Sequence, residues 1–402
     1  MRTGVAWYWI GWVALAIALG GCDASRTSGP VSEPLVTLPI GTVRGVGPQS
    51  PYLDQTVHVQ GVVTGNFVAG LHGFFMQDAI GEDDGDPATS DGIFVTWSAD
   101  QEPKVRRGDR IRVRGSVVEL EPGEVRQVAL RATAIEVLGR GAAPVIELEV
   151  PPVAVDDWQR YEGMWLRISA PLVVTGNDGL LRYGELAVSF SGRQFAATDQ
   201  RRPGEAAIKF EAENQRNRLI LDDNKNVQYP DSIWYLPEPL SRQAPMRVGS
   251  VVHGVEGILQ HFGVWRLQLT EKLERVEPAP RPAPPALPAG LRVASFNLFN
   301  WFNGDGHGRG FPTPRGAESL DEMNRQRDKL VAAILGLKPD IAALMEVEND
   351  GFGRRSSLAE LVTELNNAWP QAGYRLVDAG SGPGQDVMRV AMIYRESQVQ
   401  PA

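Results

Sequence analysis

Asn297 and Glu346 are the residues whose types and settings best suit chemistry. Each ends an apolar run. Asn297 sits in LRVASFNLFNWF, residues 291–302, and Glu346 in IAALMEVENDG, residues 341–351. A carboxylate delivered at a strand tip can hold a divalent cation. An amide beside it can hydrogen-bond a phosphate oxygen without adding repulsive charge. Mg²⁺ suits such a sparse site, because it binds through one or two carboxylates, keeps several waters and takes its remaining ligands from phosphate. The layout therefore suits metal-assisted phosphodiester chemistry. Asn300 competes with Asn297 for the amide role, while Glu348 and Asn349 read as loop-shaping neighbours. His307 lies in the glycine-rich NGDGHGRG, residues 303–310, and reads as a solvated loop residue rather than a general base.

The elements that must position this pair follow from the surrounding pattern. Residues 291–298 read as a buried-type strand. Residues 322–337 place Leu330, Ile334 and Leu337 at helical spacing, and Lys338-Pro339-Asp340 ends that helix. A second strand covers 341–345, a second helix 357–368 with Ser356 or Ser357 as its cap, and a third strand 390–394. Helices alternating with strands predict an α/β domain over 291–402.

Upstream, residues 35–277 have β character, with short β-branched runs bounded by Gly and Asp turns. The clearest strands are 57–63, 92–97 and 110–118, and in the last the arginines alternate with Ile and Val. A weak internal repeat is legible. Residues 52–66 are echoed by 161–177, and VRRGDRIRVRGSVVE (105–119) by MRVGSVVHGVEGIL (246–259). The echo predicts two related barrel modules of about five strands each, 35–150 and 151–277, the second with an insertion near 201–240. Phe67, Phe74, Phe75 and Trp97 can stack on bases, yet their strand positions favour barrel-core packing. The acidic run 82–86 (EDDGD) lacks the spacing of an EF-hand and reads as a solvated loop. Six prolines between Pro278 and Pro288 make 278–290 a semi-rigid linker.

The chain of 402 residues has 43 Gly, 29 Pro and a net charge of -9, which favours turn-rich β structure and disfavours a general polyanion binder. Its one cysteine, Cys22, excludes an intrachain disulfide. That cysteine follows an apolar stretch, residues 5–19, too short for a membrane span. Leu19-Gly20-Gly21-Cys22 resembles the bacterial lipobox. The resemblance implies a signal peptide over 1–21, cleavage before Cys22, a lipid anchor on its sulfur and a flexible tether over 22–34. An exported, membrane-anchored lipoprotein facing the periplasm or the cell exterior is then expected.

VASFNLFNWF, a helix bearing RQRDKLVAAI, KPDIAALMEVENDG and DVMRVAMIYR together resemble the endonuclease/exonuclease/phosphatase superfamily, the DNase I-like fold. The closer likeness is to secreted bacterial nucleases with an OB-like region before that domain, matched here by GLHGFFMQD and GDPATSDGIFV within 70–95. The resemblance implies a multidomain chain: β-rich OB-like barrel modules followed by a partial α/β DNase I-like sandwich. It makes Asn297 the residue orienting the scissile phosphate and Glu346 the ligand of Mg²⁺, or of Mn²⁺ or Ca²⁺. DNA is the implied substrate, with RNA as the alternative, and the β modules would position the strand. Complete members carry a later Asp-x-Asn motif and a final Asp-His pair. Neither follows Tyr394, so this chain is expected to be C-terminally truncated and inactive or incomplete as an enzyme. The alternatives are a noncatalytic nucleic-acid-binding envelope lipoprotein, and a phosphatase or sphingomyelinase-like member of the same superfamily.

Overall fold

In the computed structural model, residues 36–97, 102–120, 127–241, 243–380 and 385–401 are described. The expected signal segment and tether, with Cys22, lie outside the described residues. The chain is β-rich, 33% strand against 20% helix. It forms two compact units that divide between Arg281 and Pro282, inside the proline-rich 278–290.

In the first unit, β1 (Thr56–Phe67), β2 (Gly73–Gln77), β3 (Gly92–Trp97), β4 (Asp109–Leu120) and β5 (Gln127–Arg140) close into a barrel in the order β1-β2-β3-β5-β4. Period-two patterning drives the closure. Along β4, Ile111, Val113 and Val117 are buried while Arg110, Arg112 and Arg114 stay wet. Gly115 sits where the β4–β5 register shifts, and a Cβ there would meet the Arg131 carbonyl oxygen at 2.6 Å. A short helix, α1 (Ile40–Arg44), adds Ile40 and Val43 to the barrel core. Its leading N–H groups, from Ile40 and Gly41, donate to the Asp78 carboxylate at 2.9 and 3.4 Å. The acidic loop at 82–86 is held by its own side chains: Asp83 Oδ1 accepts from Gly85 N, and Asp84 Oδ1 from Asp86 N.

Asp78 carries a pH dependence. It is 2% exposed. Burial raises its carboxyl to about 8 against the opposing Ile40 and Gly41 N–H groups, and the nearby Asp91 and Asp84 add to the rise. An acid whose folded pKa lies above its unfolded value binds more protons when folded. Its contribution to stability is fully present below the unfolded pKa and is lost as pH rises through the folded one. Wild-type stability is therefore expected to decline from about pH 4 to about pH 8, by up to about 1.4 kcal/mol per pH unit from this group. Asp78→Asn should flatten that decline in urea unfolding measured across the same range.

Among the described residues, the rest of the first unit is a nine-stranded sheet: β6 (Ile146–Leu148), β7 (Trp165–Ile168), β8 (Leu172–Gly176), β9 (Leu186–Ser189), β10 (Arg218–Asp222), β11 (Val251–His253), β12 (Val255–Phe262), β13 (Val264–Leu269) and β14 (Arg275–Glu277). It runs β14-β11-β8-β9-β10-β13-β12-β7-β6 and is open. The expected second five-stranded barrel is therefore not formed. The sequence echo misleads at one residue. Residues 109–120 are one strand whose register with β5 shifts twice, whereas Gly254 (φ 70) breaks 251–262 in two. The halves part company: β11 joins β8 and β14, β12 joins β7 and β13. The segment read as an insertion supplies a helix, Glu205–Asn217, and β10, which enters the sheet parallel to β13.

Barrel and sheet are welded along a seam. Phe67, Phe75, Phe94 and Ala129 pack with Ile258 of β12. Gly92 lies so close to Gly163 that a Cβ on Gly92 would stand 2.2 Å from the Gly163 carbonyl carbon. The aromatics considered for base stacking are thus spent on packing. Phe67, Phe74 and Phe75 are buried, and Trp97 is half-buried against the barrel core.

The second unit is a four-stranded sheet of β15 (Val293–Trp301), β16 (Ile341–Glu348), β17 (Tyr374–Leu376) and β18 (Met388–Arg395), in the order β15-β16-β18-β17. Helix Leu320–Leu337 crosses over between the parallel β15 and β16. Ser319 caps it by accepting from Glu322 N, and Lys338 ends it in the left-handed conformation. Ser356 caps the second helix, Ser357–Ala368. Met323, Leu330, Ile334, Leu358, Leu361 and Leu365 from these helices cover Leu344, Val347 and Ile393. The opposite face keeps Val293, Ser295, Val390 and Met392 exposed. The strand at 291–298 is thus covered on one side only, not buried on both, because both helices lie on one face.

Candidate active site

The candidate site forms where β15 and β16 lose their regular pairing. The parallel register runs to Asn297 opposite Met345, shifts, and resumes at Trp301 opposite Val347. Residues 298–300 therefore stand opposite Glu346 alone. On its other side, the register of β16 with β18 also shifts between Leu344 and Val347. Both irregularities meet at Glu346. Its backbone has φ 59, and Phe299 and Asn300 have φ 58 and 55. Non-glycine residues in this region cost free energy, and such conformations concentrate at functional sites.

Hydrogen bonds hold the strained loop in place. Asn297 Nδ2 donates to Glu346 Oε1 at 2.8 Å, and Asn300 N donates to Glu346 Oε2 at 3.0 Å. Asn297 Oδ1 accepts from Phe299 N at 2.8 Å. That contact fixes the amide orientation, so Nδ2 faces the carboxylate and keeps its second hydrogen for another acceptor. Both carboxylate oxygens keep lone pairs beyond the single donor each receives. Asn297 is exposed and Glu346 half-exposed, so both are open to a ligand.

The two residues singled out by sequence thus lie side by side. Of the others, Asn300 contributes its backbone N–H to Glu346. Glu348 shapes the following loop by accepting from Asn303 N at 3.0 Å; burial raises its carboxyl above the ordinary range, that hydrogen bond opposing. Asn349 Nδ2 donates to the Asp386 carbonyl. His307 stays exposed in its loop, its backbone N–H on Asp305 Oδ1.

Two participants escaped the sequence reading. Gln326, on helix Leu320–Leu337, donates through Nε2 to the carbonyls of Leu298 and Phe299 at 2.9 and 2.8 Å, bracing the left-handed turn from below. Its signal was a polar side chain in register with Met323 and Leu330 on the buried stripe. Phe299 is 81% exposed, an aromatic ring held out beside the pair.

The chain matches no family model and no curated protein. The site must therefore be weighed on its own chemistry. Among the described residues, no group of three or more His, Cys, Asp or Glu is arranged to hold a metal ion. Glu346 offers one oriented carboxylate, flanked by the Asn297 amide N–H and the Asn300 backbone N–H. That donor set fits a Mg²⁺-type cation that retains water and shares phosphate oxygens, and does not fit a cage built wholly from protein ligands.

Proposed function

We propose that the Asn297–Glu346 pair belongs to a metal-dependent phosphodiester hydrolase of the DNase I-like superfamily, acting outside the cytoplasm on DNA. The observation carrying this reading is the 2.8 Å contact between Asn297 Nδ2 and Glu346 Oε1 at the tips of two parallel strands, on backbone held in the left-handed region. In this reading Glu346 holds the cation and the free hydrogen of Asn297 Nδ2 meets a phosphate oxygen. Asn300 N and Gln326 keep carboxylate and turn from relaxing. A divalent cation bound there would neutralise charge developing on the phosphate. Phe299 is placed to stack on a base or sugar next to the cleaved bond. The closed β1-β2-β3-β5-β4 barrel supports an OB-like reading of the first module. Any nucleic acid it holds must use residues other than the aromatics buried in the seam. Export and a lipid on Cys22 complete the proposal.

The test is a Mn²⁺ titration of the full chain followed by electron paramagnetic resonance. Saturable Mn²⁺ binding, displaced by excess Mg²⁺ and lost in Glu346→Ala, is expected. Binding that survives Glu346→Ala unchanged would remove Glu346 from the role.

A further inference from the structure

The outside of the closed barrel carries a charge pattern at odds with the acidic chain. Residues 104–114 hold Lys104, Arg106, Arg107, Arg110, Arg112 and Arg114 against Asp109 alone, in a chain whose net charge is -9. The alternation along β4 turns Arg110, Arg112 and Arg114 outward, each about 6.8 Å from the next. Strand register supplies their neighbours. His58 of β1 stands opposite Arg114, and Thr56 opposite Ser116. On the other flank, Arg131 of β5 also stands opposite Ser116. It is therefore diagonal to Arg114, a relation that sets Cα atoms roughly 7–8 Å apart.

These arginines are not equally engaged. Arg110 is paired with Glu82, and Arg112 with Glu136 at 2.9 Å. Arg114 and Arg131 are exposed, and neither guanidinium meets a carboxylate among the described residues. Two like charges on neighbouring positions repel, and an anion lying across both removes that repulsion. The face also selects the kind of anion. It is an exposed row along a strand rather than a hollow, which suits a charged polymer over a small ion. Guanidinium groups match phosphate oxygens bidentately, and the hydroxyls of Thr56 and Ser116 are of the type that meets phosphate beside them. Outward positions 56, 58, 60, 110, 112, 114, 116 and 131 include no Phe, Tyr or Trp. Bases have no ring to stack on there, and a membrane surface finds no aromatic anchor. We propose that the β1–β4–β5 face of the barrel binds the phosphodiester backbone of nucleic acid without regard to sequence, with Arg114 and Arg131 as its principal contacts. This inference rests on the DNA reading of the Asn297–Glu346 site and supplies the hold that the aromatics buried in the seam do not.

The test is fluorescence anisotropy of labelled single- and double-stranded DNA on the full chain carrying Glu346→Ala, in EDTA, across a range of salt, with phosphatidylglycerol vesicles as the rival partner. EDTA and Glu346→Ala silence the cation site, so binding reports the barrel face. Binding that weakens as salt rises and ignores base sequence is expected. Arg114→Gln with Arg131→Gln should weaken it at least about tenfold and reduce the slope of log affinity against log salt by about 1.5, with the melting temperature unchanged. Glu136→Gln releases Arg112 and should tighten binding, a gain that a purely structural role for the face would not produce. Arg202→Ala, an exposed arginine outside this face, should change nothing. DNA binding unmoved by every barrel variant overturns this assignment and leaves the DNA reading standing. No DNA binding, or arginine-dependent binding of the vesicles alone, also overturns it, and the Mn²⁺ titration of the unmutated chain then judges Glu346 separately.

Discussion

Glu346→Ala is expected to lower the rate of Mg²⁺-dependent DNA phosphodiester cleavage at least about a thousandfold, roughly 4 kcal/mol in barrier, in whatever length of chain supports cleavage. The size follows from how many functions share one carboxylate. Glu346 is the proposed cation ligand, and its two oxygens also orient Asn297 Nδ2 and Asn300 N. Removing it loses the ligand and frees the amide that faces phosphate. Glu346→Gln should fare little better. Its amide has one oxygen for two donors, so an NH₂ group must face either Asn297 Nδ2 or the Asn300 N–H. Asn297 cannot turn to accept without giving up its bond from Phe299 N. Single-turnover conversion of supercoiled to nicked plasmid measures the loss.

A companion variant separates function from structural support. Glu346 has φ 59, a conformation that glycine adopts without strain. Glu346→Gly should therefore be as inactive as Glu346→Ala yet more stable than it, by about 1 kcal/mol in urea unfolding. A residue in ordinary extended conformation would show the reverse, because glycine loosens a regular strand. Equal or lower stability for the glycine variant would mean that the left-handed conformation stores no strain worth relieving.

How much of this was legible beforehand depends on whether a feature is written locally. The alternation of Ile111, Val113 and Val117 with three arginines specifies a half-wet strand within nine residues, and β4 forms accordingly. The caps at Ser319 and Ser356 and the stripe through Leu330 and Ile334 bound their helices the same way. The pair itself was legible because each member is a polar residue ending an apolar run. What escaped is non-local. Nothing in 246–259 announces that Gly254 turns the chain and sends β11 and β12 to different neighbours. The contact of Gly92 with Gly163 joins segments seventy-one residues apart, and each glycine alone looks like a turn residue. The left-handed backbone at Glu346 is invisible in a sequence that reads as continuous strand. It arises because three residues of β15 oppose one of β16, a mismatch fixed only once the strands pair.

The seam of the first unit carries a large expected stability effect on substitution. Arg44 is 4% exposed on α1, and its guanidinium reaches Glu162 Oε2 at 2.7 Å and the Val128 carbonyl at 3.1 Å. Glu162→Ala leaves that guanidinium buried with its charge uncompensated. A loss of about 3–5 kcal/mol is expected, since breaking one side of a buried pair costs far more than the pair contributes. The sign of the double variant then decides what the pair is for. Arg44→Met with Glu162→Leu removes both charges and fills the space with apolar groups. It should recover most of the loss and come within about 1 kcal/mol of wild type, or exceed it. Urea unfolding of the two single variants and the double variant gives the coupling energy directly. Near-additive losses would show that the two side chains act separately despite their contact. Strong coupling with full recovery would leave the pair little net role in stability.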